Sequence, residues 1–131
     1  MKKYLFVILA LCFCCYSYCE VLKYRATDVS YKYKNDYGYW TDWSKWEKNN
    51  ILIVINSDKD VVTIYSSETQ EFDIVEYLGE TTDNDGGTSV KFLCVDKDGG
   101  RNHMRIRMIN GGWQLYIDYS DFMYVYSIEP R

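Results

Sequence analysis

Few residues in this chain of 131 could carry out catalysis. His103 is the only histidine, and Cys94 is the only cysteine beyond the first 19 residues. They flank a turn signal at residues 96–100, so two paired strands could bring them together as nucleophile and base. Cys94 lies in an apolar run, however, where a thiol is usually an inert small hydrophobe. A single histidine also suggests no Ser–His–Asp triad. We therefore expect a protein that is not an enzyme, with no catalytic residue.

Carboxylates suggest at most a weak metal site. The polar segment 79–88 carries Asp83 and Asp85 two positions apart, followed by Gly86, like the start of a calcium-binding loop. When the spacing is counted from Thr81, two positions before Asp83, the twelfth position, where a calcium-binding loop has a glutamate, is Phe92. A zinc site needs about four ligands, which this chain supplies only with the help of carboxylates. We expect these acids to lie in solvated turns, with no metal site and no cofactor.

Aromatic residues are the unusual feature, at 18% of the chain. Tyr39 precedes three tryptophans with a spacing of three, which are Trp40, Trp43 and Trp46. Such side chains combine a rigid apolar body with a polar tip, which suits binding surfaces. As a strand, segment 40–47 would place Trp40 and Trp46 on one face, whereas a helix would align all three tryptophans. We favour the strand and predict these four residues as the ligand-binding site. The alternative is that the rings are ordinary half-buried strand residues.

The elements that must position these residues are clearest in segment 49–79. Three runs rich in Ile, Val, Phe and Tyr, at 51–55, 61–65 and 72–78, are separated by short polar breaks typical of turns. The same unit recurs downstream and once upstream, which predicts further strands at 21–34, 89–95, 103–109, 113–119 and 122–128. Alternation is cleanest at 103–109, where Arg105 and Arg107 would face away from Met104 and Ile106.

This pattern predicts an all-β protein, a single-domain antiparallel meander of eight or nine strands. A long meander has two edges that must be protected from other chains. Closure into an up-and-down barrel, as in lipocalins, removes both edges, whereas folding into a two-sheet sandwich hides most of their length. The sequence leaves both architectures open.

The first 19 residues have the pattern of a secretory signal peptide. Lys2 and Lys3 precede an apolar run at 4–13, and small residues follow it. The run is too short to span a bilayer, which needs about 20 residues. We predict cleavage after Cys19, which leaves a domain of residues 20–131 with no stable membrane span, exported to the periplasm or the cell exterior. Cleavage after Ser17, an uncleaved anchor and a lipidated cysteine are the alternatives.

The charge of the predicted mature chain argues against polyanionic partners. Removing Lys2 and Lys3 from the 15 basic residues leaves 13 against 19 acidic ones, a net charge of −6. Nucleic acids and anionic membranes repel such a chain at long range. With Cys94 as the single remaining cysteine, the domain also has no internal disulfide and depends on its core for stability.

Two resemblances bear on the fold. The segments WTDWSKWEKNNILIVI, VVTIYSSETQEFDIVEY and LYIDYSDFMYVY resemble a group of small exported proteins of gut Bacteroides-type bacteria and their phages. This resemblance implies export and a β fold, and it assigns no catalytic or binding residue. The tripeptide at 38–40, Gly-Tyr-Trp, is similar to the Gly-x-Trp motif that opens the first strand of lipocalins.

We therefore expect a small exported, non-enzymatic binding or interaction module that uses exposed aromatic residues. Its partner would be a protein, a glycan or a small apolar ligand. A lipocalin-like carrier, with an apolar small molecule inside a barrel, is the first alternative. An enzyme of unknown class is the second alternative, and it would require carboxylates or the Cys94 and His103 pair to converge in a cleft.

Overall fold

The computed structural model describes residues 21–109 and 111–131. The predicted signal peptide, residues 1–19, lies outside this part of the chain. The described residues form eight β-strands, and no long, apolar helix of the kind that crosses a membrane occurs among them. The strands are β1 (Val21–Tyr33), β2 (Glu47–Asn56), β3 (Val61–Tyr65), β4 (Thr69–Thr82), β5 (Thr88–Asp96), β6 (Arg101–Ile109), β7 (Gly112–Asp118) and β8 (Phe122–Pro130).

The strands form a closed antiparallel barrel. Each strand pairs with the next along the chain, and β8 pairs back onto β1. This closing seam runs from the pair Tyr24 and Pro130 to the pair Tyr33 and Phe122, with one register shift between Ala26 and Asp28. Of the two predicted architectures, the barrel is confirmed and the sandwich is excluded.

Apolar side chains fill the barrel because they alternate along every strand. Their inward positions are nearly inaccessible to solvent, and the largest fully buried side chains are Tyr24, Ile53, Ile55, Ile64, Phe72, Phe92, Met104, Ile106, Leu115 and Ile117. The alternation predicted for β6 is confirmed, since Met104 and Ile106 are buried and His103 is exposed. Burial of this apolar surface supplies the main driving force for folding.

The up-and-down order divides the connections between two ends of the barrel. At one end, called the upper end here, lie the connections 34–46, 66–68, 97–100 and 119–121. Residue 21, the end of β8 and the other three turns lie at the opposite, lower end. The long connection 34–46 carries the predicted tryptophans, and it is called the arm below.

The predicted strand at 40–47 is wrong for most of its length. Trp40 forms only an isolated bridge with Lys34, residues 41–46 are not in a strand, and β2 begins at Glu47. The reason lies in hydroxyl side chains that replace ladder partners: the backbone amide of Tyr31 donates to Ser44 Oγ (3.0 Å) and that of Tyr33 donates to Thr41 Oγ1 (3.1 Å). Such side-chain bonds compete with regular sheet pairing.

The predicted polar loop at 79–88 is shorter than expected. Strand β4 continues to Thr82 and β5 begins at Thr88, so the loop covers only residues 83–87. Two register shifts in β4 accompany this extension, one between Ile74 and Glu76 and one between Tyr77 and Gly79. Gly79 has a φ of 104°, a conformation that other residues rarely adopt.

Candidate functional site

The upper end of the barrel contains an open recess of about 660 Å³. Five aromatic side chains form most of its wall, and they are Tyr31, Tyr119, Phe122, Tyr124 and Tyr126. Val29, Gln70 and Asp121 complete the lining. This feature, called the upper recess here, lies above the packed core and joins β1, β4, β8 and the β7–β8 turn.

The period of two along β8 places its aromatic residues on one face. Phe122, Tyr124 and Tyr126 alternate with outward side chains, and Ile128 continues the same face into the core. Across the closing seam, Tyr124 pairs with Tyr31 and Tyr126 pairs with Val29. Closure of the barrel therefore assembles the recess from the first and last strands.

The rings of the upper recess touch one another at tilted angles. Tyr119 and Phe122 have centroids 6.1 Å apart and planes inclined by 41°. The corresponding values are 5.3 Å and 48° for Phe122 and Tyr124, and 5.5 Å and 84° for Tyr124 and Tyr126. Tilted and edge-to-face contacts are the favoured arrangements of aromatic pairs. The rings form a curved wall rather than a flat stack.

Hydrogen bonds hold two of these rings in place. The Tyr119 hydroxyl donates to Asp96 Oδ2 (2.8 Å), and the Tyr124 hydroxyl donates to Gln70 Oε1 (3.2 Å). Gln70 Nε2 in turn donates to Ser66 Oγ (3.1 Å). Because both phenol protons are already used, these rings have little freedom to rotate their tips toward a ligand.

Three phenols of the recess, those of Tyr119, Tyr124 and Tyr126, stay protonated near neutral pH. Burial raises the pKa of Tyr126 to about 12 and raises the pKa values of Tyr119 and Tyr124 further. The hydrogen bond from Tyr119, together with the backbone amide of Gly100, lowers the pKa of Asp96. The site therefore combines neutral phenols with an ionised carboxylate.

Two of the predicted site residues lie on the outer face of the barrel instead. Lys32 Nζ lies 4.7 Å from the ring centroid of Trp43 and 5.4 Å from that of Trp40. Trp43 makes an edge contact with Tyr116 (6.2 Å between centroids), and Arg105 lies over that tyrosine at 4.1 Å. These five residues are called the outer stack here. Trp40 and Trp43 remain 37% and 39% exposed.

The other two predicted residues are more exposed. Trp46 is 49% and Tyr39 is 71% accessible to solvent. Neither of them, nor Trp40 or Trp43, lines the upper recess. The sequence interpretation missed the aromatic residues of β8 as a site, although their alternation in the predicted strand 122–128 is visible in the sequence. The sequence did not show that β8 pairs with β1, and this pairing is what brings the aromatic face of β8 next to Tyr31.

The possible Cys94 and His103 pair does not form. Their strands are paired as the turn signal suggests, but Cys94 is opposite Asn102 and His103 is opposite Leu93. Cys94 points into the core with no exposed surface, whereas His103 lies on the outer face. Burial also raises the pKa of the Cys94 thiol to about 12, which leaves it protonated and unreactive.

The carboxylates of loop 83–87 are paired with a cation from the protein itself. Arg107 Nε donates to Asp83 Oδ2 (2.9 Å), and its Nη2 donates to Asp85 Oδ2 (2.6 Å). Within the described ranges, no group of three or more His, Cys, Asp or Glu side chains is arranged to hold a metal ion. The two aspartates of the calcium-like spacing therefore bind Arg107 of β6 and hold the loop against that strand.

No family model, curated protein or solved structure matches this chain. The candidate site is therefore defined by its geometry.

Proposed function

We propose that this protein is a small exported binding module, without catalytic activity, whose ligand occupies the upper recess. The observation that carries the proposal is the five-ring wall around an open volume of about 660 Å³. Pockets for small ligands typically measure roughly 300–1,000 Å³ and combine apolar walls with a few polar groups. Export to the periplasm or the cell exterior rests on the pattern of residues 1–19 and on the resemblance to small exported proteins.

The ligand is held at the mouth rather than deep within the barrel. The core below the recess is filled, since Tyr24, Ile53 and Phe92 have at most 2% of their surface exposed. A carrier that encloses an apolar molecule would need this volume to be empty. The recess instead suits a small molecule that stacks on the rings and presents its polar groups to solvent.

The outer stack is the second candidate, as a contact surface for a protein or a glycan. Its support is the partial exposure of Trp40 and Trp43 on a curved, solvent-facing strip. The rings already have lysine ammonium groups over them, however, from Lys32 and Lys34. A partner would have to displace or share these cations, which makes the upper recess the better site.

A neutral fluorescent probe, N-phenyl-1-naphthylamine, tests the proposal. Tyr31→Ala removes a recess ring that is 41% exposed, and its matched control is Tyr37→Ala on the arm, where the ring is 85% exposed. We expect Tyr31→Ala to weaken probe binding by about two- to tenfold, the value of one aromatic contact. The control should bind like the wild type. Equal probe binding by the wild type, Tyr31→Ala and Tyr37→Ala would refute the recess as the binding site. A third variant, Trp43→Ala, tests the outer stack, and a loss of probe binding confined to this variant would favour that surface.

A further inference from the structure

The upper recess has one charged residue in its lining. Asp121, at the β7–β8 turn, is that residue, and the other described residues around the recess are aromatic, apolar or neutral amide side chains. Neither lysine nor arginine is among them. A ligand in this position therefore lies among electron-rich rings and beside one acidic residue.

Three basic residues near the upper end have partners outside the lining of the recess. Lys32 and Lys34 lie over tryptophan rings of the arm on the outer face. Lys97, in the β5–β6 turn, pairs with Glu71 (3.1 Å). The backbone amide of Lys34 donates to the carbonyl oxygen of Asp121 (2.9 Å), but none of the ion pairs among the described residues involves the Asp121 side chain.

We propose that the ligand of the upper recess is a small organic cation of the quaternary ammonium class. This inference rests on the proposed function and specifies its ligand. The faces of tyrosine and phenylalanine rings attract cations, and several rings at different inclinations surround a trimethylammonium group better than one ring does. The wall provides such inclinations, from 41° to 84° between neighbouring rings.

A second feature strengthens the attraction. The Tyr119 hydroxyl donates to the ionised Asp96 at 2.8 Å, and a phenol that donates to an anion carries more electron density in its ring. Asp96 and Asp121 thereby add two negative charges near the recess, one behind a ring and one in the lining. A bulky ammonium ion is also weakly hydrated, so it loses little on leaving water.

The test compares choline with 3,3-dimethyl-1-butanol, its neutral isostere, by isothermal titration calorimetry of the purified protein. We expect choline to bind at least about tenfold more tightly, as a partly desolvated cation–π site predicts. Asp121→Asn should weaken choline binding and leave the neutral isostere unaffected. The matched control is Asp58→Asn, an exposed aspartate in the β2–β3 turn at the lower end, which should change neither ligand.

The outcomes separate this inference from the proposed function. Equal affinity for choline and its isostere would overturn the proposal that the ligand is a cation, and so would unchanged choline affinity in Asp121→Asn. Either result would leave the recess as a binding site. If choline does not bind but N-phenyl-1-naphthylamine does, the ligand is not a cation of this class, and the recess again stands as a binding site. If none of the three compounds binds, both the cation and the recess are wrong. Choline that shifts the NMR signals of Trp43 instead of those of Phe122 would also overturn the assignment.

Discussion

Asp96 shows how a single side chain shapes the upper end of the barrel. Its Oδ1 accepts the backbone amides of Asp98 (3.0 Å) and Gly100 (2.7 Å), which closes the β5–β6 turn. Its Oδ2 accepts the Tyr119 hydroxyl from the β7–β8 turn. A Cβ on Gly100 would lie 2.7 Å from that carboxylate, so a larger residue would displace it. One carboxylate thus joins two turns and fixes a wall of the recess.

A pH-dependent prediction arises at the same scale in loop 83–87. The Gly87 amide and the Arg107 guanidinium lower the pKa of Asp85 below its ordinary value of 3.8. A pKa that folding lowers adds stability above the unfolded value and loses it as the pH falls through the folded one. We therefore expect opening of the loop to increase between roughly pH 5 and pH 3. Amide hydrogen exchange of residues 83–87, corrected for intrinsic rates, measures this opening.

The test variant for this loop is Asp85→Asn, and its matched control is Asp36→Asn. The first removes a carboxylate bound to Arg107 and should raise loop opening at neutral pH and flatten the acid response. The second changes an exposed aspartate on the arm and should leave the profile of the loop unchanged. A wild-type profile in Asp85→Asn would show that the ion pair does not hold the loop.

Among the elements, the arm covers part of the outer face of the barrel, where β1, β8 and β7 lie side by side. Ser30, Val125 and Tyr116 lie side by side across β1, β8 and β7. Ser30 Oγ donates to the carbonyl oxygen of Ser44 (2.7 Å), and Trp43 reaches the ring of Tyr116. Val125, between these two contacts, is only 3% exposed although it faces outward. The arm therefore acts as a cover over the barrel wall.

This cover predicts unequal roles for two tryptophans of the arm. Trp43→Ala removes one aromatic contact and one cation–π contact and should lower the free energy of unfolding by about 1–2 kcal/mol. Trp46→Ala changes a side chain that is half exposed and should cost no more than about 0.5 kcal/mol. Urea unfolding of both variants measures the difference. Equal losses would show that Trp43 is not an anchor of the arm.

At the scale of the whole molecule, the barrel is held together by closure of the sheet and by its core, without covalent crosslinks among the described residues. The only described cysteine is Cys94, which is free and buried, so within residues 21–109 and 111–131 the barrel has no disulfide. Every strand has a paired neighbour on both sides, and the closing seam joins β1 and β8, which would be the two edge strands of an open meander. Stability depends on the packed interior, as the cysteine content of the predicted mature chain suggests.

Removing volume from that interior should therefore be costly. Ile53 is completely buried in β2, and Ile53→Ala should destabilise the protein by about 2–5 kcal/mol through lost burial and a residual cavity. Val75→Ala, on the outer face of β4 with 45% exposure, should stay within about 0.5 kcal/mol of the wild type. Thermal and chemical unfolding can compare the two variants. Similar losses would mean that the inner and outer faces are wrongly assigned.

The sequence by itself determined where most of the strands lie. Local alternation and turn residues depend only on near neighbours, so the run at 61–65 coincides with β3 and the two faces of β6 are as predicted. The same local logic failed in the arm, because the hydroxyls of Thr41 and Ser44 bond to β1 and end the pairing that a strand would need.

Only the tertiary structure decided between barrel and sandwich, and only it assembled the recess. Local pattern is the same in both architectures, whereas the seam between β1 and β8 joins residues from opposite ends of the described chain. That seam brings Tyr31 beside Tyr124 and places the aromatic face of β8 at the mouth. None of the four predicted aromatic residues of the arm lines the recess, and Trp40 and Trp43 lie beside Lys32 on the outer face instead.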